Sequence, residues 1–145
     1  MKTALLDVNV LMALTWPSHI HHEAAHDWFD KKQKYGWATC PITQSALVRL
    51  SSNPKILADA VSPKQAITLL EQITSLENHQ FWPHDVNLTE ASIFKEGYIV
   101  GHRQITDAYL LALAMHHNGR LVSFDRAIST YYPAKSDEYL LVLPS

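Results

Sequence analysis

Thr3-Ala4-Leu5-Leu6-Asp7-Val8-Asn9-Val10-Leu11 sets a carboxylate inside an apolar run, and Leu121-Val122-Ser123-Phe124-Asp125 closes a second apolar run on another. A bare carboxylate among leucines and valines is costly to bury unpaired. Asp7 therefore reads as a functional position in or at the end of a buried strand. A third acid, Asp107, opens the helix-like segment Thr106-Asp107-Ala108-Tyr109-Leu110-Leu111-Ala112-Leu113-Ala114. In a parallel α/β sheet the carboxyl ends of the strands share one edge, where such folds bind ligands. Acids far apart in sequence then converge, and three crowded carboxylates repel one another unless a cation neutralises them. Taken singly, Asp107 suits the first turn of a helix, worth ~0.3–1 kcal/mol against the macrodipole. Asp125 suits a turn or cap before Arg126-Ala127-Ile128. That one sheet edge collects all three favours a metal site.

Outward from these runs, strands alternate with helices. Residues 3–6 with Val8 read as the first strand. Ser18 to Lys32 reads as a helix, with Ala25, Trp28 and Phe29 at helical spacing. Gly36 breaks it before a strand at Trp37-Ala38-Thr39-Cys40. Thr43 then caps a helix bearing Ala46, Leu47 and Leu50, which Ser52-Asn53-Pro54 stops. Ser62-Pro63 opens another helix, with Ile67, Leu70, Ile73 and Leu76 expected inward. Gln80-Phe81-Trp82 reads as a short strand cut by Pro83, and Leu88 to Lys95 as a short helix. Gly97 to Gln104 reads as a loop with Tyr98-Ile99-Val100 buried inside it. Thr106 caps the apolar helix that Asn118-Gly119 ends, glycine supplying the left-handed position. Arg120 to Phe124 and Leu140 to Leu143 are strands, the latter at an edge. The fold class expected is α/β: a central parallel sheet with helices on both faces, one domain over residues 1–145, without repeat or linker.

The bulk properties agree. A chain of 145 residues, 47% hydrophobic and 18% charged, fits one soluble domain with a sizeable core. A formal net charge of −2 gives no global basic field, so nucleic-acid binding would need a local patch of the 12 Lys and Arg. The single cysteine, Cys40, excludes an internal disulfide and fits a reducing cytoplasm. The longest apolar run, Ala108 to Met115, falls short of the ~20 residues a membrane span takes. Asp7 interrupts any signal-peptide core at the start, which argues for a cytoplasmic protein.

At this point the chain resembles a family. Leu5-Leu6-Asp7-Val8-Asn9-Val10-Leu11, then Cys40-Pro41-Ile42-Thr43-Gln44 with Arg49 and Ser52-Asn53-Pro54, is similar to the PIN-domain ribonucleases. With Phe81-Trp82-Pro83, Ile105-Thr106-Asp107-Ala108-Tyr109-Leu110 and Leu121-Val122-Ser123-Phe124-Asp125-Arg126, the ordered set resembles the VapC toxins of bacterial toxin–antitoxin pairs, from about residue 3 to 130. The resemblance implies a Mg²⁺- or Mn²⁺-dependent endoribonuclease acting on RNA. It implies a cognate antitoxin that wraps the protein and inserts a segment, bearing a basic side chain, into the acidic site. The family's acidic positions fall at Asp7, position 44, Asp107 and Asp125. Here position 44 is Gln where the family usually has Glu, so the site holds three negative charges instead of four. Gln44 still offers a carbonyl oxygen to water, but a second metal ion would be held more weakly.

Within that reading Asp7 and Asp107 are candidate ligands to the metal, direct or through water, and Asp125 holds a second ion or a coordinated water. Ser123, two residues before Asp125 on a strand, shares its side and is placed to bond water or phosphate. Asn9 shares Asp7's side and supports the site, packing and local backbone bonding being the alternative. Arg49, His102 and Arg103 are candidate phosphate contacts, with solvated surface charge the plain alternative for each. The apolar helices around Trp28 and Leu69-Leu70 leave room for a homodimer, which would build a joint RNA groove.

Two competing motifs are weaker. His22-Glu23-Ala24-Ala25-His26 matches the zinc protease string H-E-x-x-H, which puts two imidazoles on one helix face. Its extended form needs glycine where Phe29 stands and histidine where Lys32 stands, and 9 histidines make a chance match easy. A haloacid-dehalogenase phosphatase would want an acid at position 9, which is Asn. The alternative from another class is a PIN-like binding module in which Gln44 has abolished catalysis, leaving RNA or antitoxin binding.

Overall fold

The computed structural model describes residues 1–144. Its first strand, β1 (Ala4–Leu6), ends one residue before Asp7, and α1 (Val8–Thr15) starts immediately after it. The sequence reading put Val8 in the strand and missed this helix. An apolar run from Val10 to Leu14, buried throughout, shows no polar face from which a period can be read. Then come α2 (His22–Lys32), β2 (Trp37–Thr39), α3 (Pro41–Ser51), α4 (Pro63–Thr74), β3 (His79–Phe81) and α5 (Ser92–Glu96). The chain finishes with α6 (Ile105–His116), β4 (Arg120–Ser123), α7 (Pro133–Tyr139) and β5 (Leu140–Val142).

The strands form one all-parallel sheet in the order β3-β2-β1-β4-β5, as the α/β reading expects. Alternation along the central strands sorts the core onto two faces. Leu5, Ala38 and Leu121 pack with Leu110, Leu111 and Leu113 of α6 on one face. Leu6, Trp37 and Val122 pack on the other with Val10, Leu11, Phe29 and Leu47, from α1, α2 and α3. β1 lies between β2 and β4, so Asp7 leaves the sheet at its centre.

Several boundaries move for identifiable reasons. Thr43 is not the cap of α3 but its third residue; its hydroxyl accepts the Cys40 N–H at 3.0 Å, and Pro41 takes the first turn. Helix α2 begins at His22 rather than Ser18, after turns at 17–21. Ser62 caps α4 as read, accepting from Gln65 N at 3.1 Å, yet Ile67 and Leu76 are exposed and only Ala66 of that helix is fully buried. Helix α5 spans five residues, Ser92–Glu96, fewer than expected, and Tyr98 and Val100 in the following loop are exposed. Thr106 lies inside α6 rather than capping it. At the end of α6 it is Asn118 that takes positive φ (51°). Gly119 serves a close approach instead: a Cβ there would lie 2.6 Å from the Trp82 ring and 2.7 Å from Thr3 O. Helix α7 is an element for which the sequence reading gave no expectation, and β5 is the expected edge strand.

Candidate functional site

The Asp7 backbone is extended, and its N–H donates to Val122 O at 2.9 Å, fixing it to β4. Its carboxylate is engaged on both sides. One oxygen caps α1 by accepting Val8 N–H at 2.7 Å, and the other accepts the Ser123 hydroxyl at 2.7 Å. Ser123 is fully buried, and its oxygen also accepts Asn9 Nδ2 at 3.1 Å and Asp125 N–H at 3.0 Å. Asn9 Oδ1 in turn accepts Phe124 N–H at 3.2 Å. Ser123 and Asn9 thus lock the turn after β4 to the start of α1. Asp125, half-buried, caps the short turn Arg126–Thr130 through Ala127 N–H at 2.9 Å.

Asp107 comes from the first turn of α6 and is half-buried. Burial, then the charges of Asp7 and Asp125, push its carboxyl up to about 6. Asp7 is also raised: burial outweighs the hydrogen bonds from Ser123 and Val8, and Asp125 adds repulsion. The Tyr131 phenol is raised by burial and then by the charges of Asp107 and Asp125. The three acids read from sequence therefore feel one another at the carboxyl edge of the sheet.

Asp7 and Asp107 line a cavity of about 440 Å³ whose walls include Thr43, Arg49, His84 and Thr106. Arg49, exposed, also borders the neighbouring hollow, and that hollow is where Gln44 lies. Gln44 is turned to Thr39, donating from Nε2 to the hydroxyl at 3.0 Å, and Thr39 Oγ1 is also 2.7 Å from His79 Nε2. Gln44 and Asp125 are absent from the lining of the acidic cavity. His102 and Arg103 are exposed on the turn before α6, outside that lining. Tyr131 and His84 escaped the sequence reading; neither sits in a motif or a periodic segment. Thr106 and Thr43 carried only a capping signal.

The donor set suits a hard divalent cation. The three carboxylates present oxygen alone, and two of them are raised, chiefly by burial and further by the neighbouring negative charges. Among the described residues, the three acids do not each bring one oxygen within 4.8 Å of the others. That spacing fits an ion such as Mg²⁺, which keeps several waters and takes one or two carboxylates directly.

The zinc-protease reading fails on geometry. His22 Nδ1 lies 2.7 Å from Ala13 O and His26 Nε2 2.9 Å from Leu14 O, so both rings serve the end of α1. Among the described residues no third ligand joins them.

The sequence pattern of the PIN domain matches residues 4–132. Ribonuclease VapC39 of Mycobacterium tuberculosis is 49% identical over 127 residues, covering 88% of this chain and 91% of that protein. Ribonuclease VapC44 of the same organism is 40% identical over 141 residues, covering 97% and 99%. Among solved structures, VapBC2 from Rickettsia felis bound to a DNA fragment from its promoter superposes with a TM-score of 0.65. It covers 98% of this chain and 99% of that one at 14% identity, a likeness of fold.

Proposed function

The chain belongs to the PIN-domain family, and on that premise we propose that it is a metal-dependent endoribonuclease, the toxin of a toxin–antitoxin pair, formed by one PIN-like domain over residues 1–145. The observation that carries this reading is the meeting of Asp7 and Asp107 on one cavity bordered by Arg49, with Asp125 joined to Asp7 through Ser123. Relatives named ribonucleases, at up to 49% identity, support it.

Asp7 and Asp107 would hold Mg²⁺ or Mn²⁺, with Asp125 at the margin. Such an ion supplies charge neutralisation at the scissile phosphate and acidifies the attacking water. The chain's own residues do the positioning. Ser123 and Asn9 fix Asp7 and the turn bearing Asp125, so the acids are arranged before substrate arrives. Arg49 meets the RNA backbone at the cavity rim, where a guanidinium matches phosphate. Gln44, bonded to Thr39, contributes no charge and borders the substrate path through the neighbouring hollow. An antitoxin partner is part of the proposal, in keeping with the likeness of fold to the VapBC2 complex from Rickettsia felis. So is a homodimer. No helix among the described residues is long and apolar enough to cross a membrane; a cytoplasmic site of action belongs to the proposal.

The test is cleavage of end-labelled tRNA and ribosomal RNA by antitoxin-free protein with Mg²⁺ or Mn²⁺, with EDTA, and beside Asp7→Asn. Discrete cuts that need the ion and vanish in the variant are expected. RNA retention without cutting, unchanged by EDTA, would support a binding module in place of the nuclease.

A further inference from the structure

The molecule has a second polar cluster, at the other end of α6. His116 ends the helix and His117 follows as its cap, and both direct Nε2 at Asp85, on the segment between β3 and α5. His117 Nε2 lies 3.0 Å from Asp85 Oδ1, and His116 Nε2 lies 3.5 Å from Oδ2. Ligand atoms of all three fall within 4.8 Å of one another, the only such group of His, Cys, Asp or Glu among the described residues.

Two imidazoles and a carboxylate form a donor set for borderline ions, Zn²⁺ foremost, whereas Mg²⁺ prefers oxygen throughout. The imidazoles are held in place. His117 stacks on the buried Trp82 at 4.3 Å between centroids and 11° between planes. The Trp82 indole N–H is itself fixed by Gln80 Oε1 at 3.1 Å. His116 stands edge-on to His117 at 5.2 Å. Both residues stand at the C-terminal end of α6, whose carbonyl pole favours a cation. Side-chain exposures of 52%, 21% and 39% for His116, His117 and Asp85 let an ion enter from solvent. Asp85 and His116 also line a cavity of about 380 Å³ that Glu90 borders, leaving room for a further ligand or water.

We propose that Asp85, His116 and His117 bind Zn²⁺, at a site separate from the acidic cavity, and that the ion ties the segment between β3 and α5 to the end of α6. Zinc coordination replaces the His117–Asp85 hydrogen bond and the longer His116–Asp85 contact that hold the cluster in its absence. The plain alternative is a surface histidine–carboxylate bond with no affinity for metal.

Calorimetric titration of ZnCl₂ into full-length, chelator-treated protein, with Mg²⁺ in excess, distinguishes them. Wild type is expected to bind a single equivalent at this site and to melt at higher temperature with Zn²⁺ than without. The Asp7→Asn/Asp107→Asn and His22→Ala/His26→Ala variants should keep that binding, and His116→Ala/His117→Ala should lose it with its melting shift. Asp85→Asn, which leaves both imidazoles, should bind on the order of tenfold more weakly. Zinc-edge X-ray absorption should count two imidazole nitrogens. No binding by wild type overturns the proposal, as does its loss in Asp7→Asn/Asp107→Asn. Undiminished binding by the folded His116→Ala/His117→Ala variant overturns it too. Should that variant fail to fold, an unchanged affinity in Asp85→Asn has the same force.

Discussion

The two ends of α6 hold charge on opposite terms. At its first turn Asp107 faces two further carboxylates, in a half-buried setting that pushes its carboxyl up to about 6. At its last turn two imidazoles face one carboxylate across 3.0 and 3.5 Å, in the open. The first cluster is penalised by burial and by repulsion among its carboxylates, a cost that a bound cation would relieve. The second pairs opposite charges, through one hydrogen bond and one longer contact, and can exist with no ligand at all. Unrelieved repulsion is thus the stronger sign of a site, since a fold has no structural reason to collect like charges.

The largest test of that contrast is Asp7→Asn. Removing one negative charge from the acidic end should lower kcat/KM for RNA by on the order of a hundredfold or more, read in single-turnover cleavage. Some stability should go with it. Asp7 accepts from Val8 on one oxygen and from Ser123 on the other, while the Ser123 oxygen already accepts from Asn9 and Asp125. An amide NH₂ at position 7 meets no acceptor there, a cost of about 1–3 kcal/mol partly offset by removing a buried charge. Equal cleavage by this variant at limiting Mg²⁺ would falsify the assignment of the site.

Ser123→Ala comes next. It keeps every charge but removes the bond that orients Asp7, and it strands Asn9 Nδ2 and Asp125 N–H. A loss of about 1–3 kcal/mol in urea unfolding is expected, with roughly tenfold slower cleavage. An Asp7 that needs no positioning would leave the rate unmoved.

How much of this was legible in the sequence divides along the same line. The acids were visible because a carboxylate breaking an apolar run is conspicuous, and parallel topology brings run ends together. The strands were legible to within a residue or so where apolar runs met Gly36, Pro83 or Gly119. Helix α1 was not, because Val10 to Leu14 are all buried and a helix buried all round leaves no periodicity. Tyr131 and the Asp85–His116–His117 cluster were invisible for another reason: each depends on contacts across more than 20 residues that no local pattern encodes. The strings that stood out most, His22 to His26, proved to be tied to the carbonyls ending α1.

Asp107→Asn probes the repulsion itself, through stability rather than activity. The folded carboxyl titrates near 6 against 3.8 for the ordinary group. Between those values the native state binds more protons than the unfolded chain, so stability falls as pH rises from about 4 to 6. Above that window the ionised group costs on the order of 1 kcal/mol once solvent screening is allowed for. The metal-free variant should therefore be more stable than wild type at pH 7.5 by about that amount, and no more stable at pH 3.5. Mg²⁺ should narrow the gap by stabilising wild type alone. A gain that persists unchanged at acid pH would mean the benefit is not electrostatic.

The smallest expected effect belongs to Gln44→Glu, and it bears on how far the acidic end extends. Gln44 donates to Thr39 and borders the hollow beside Arg49, outside the lining of the cavity that Asp7 and Asp107 share. A glutamate there can keep the Thr39 bond by accepting from the hydroxyl, whose oxygen then accepts from His79. The new charge would act on the ion across solvated space, where a dielectric approaching that of water, together with salt screening, leaves only a few tenths of a kcal/mol for a separation on the order of 10 Å. Divalent-ion affinity should tighten only about two- to threefold in calorimetry. A gain of a hundredfold would mean that position 44 swings into the acidic cavity when an ion is present. No gain at all would mean that the cluster ends at Asp7, Asp107 and Asp125, and that glutamine at this position leaves the metal untouched.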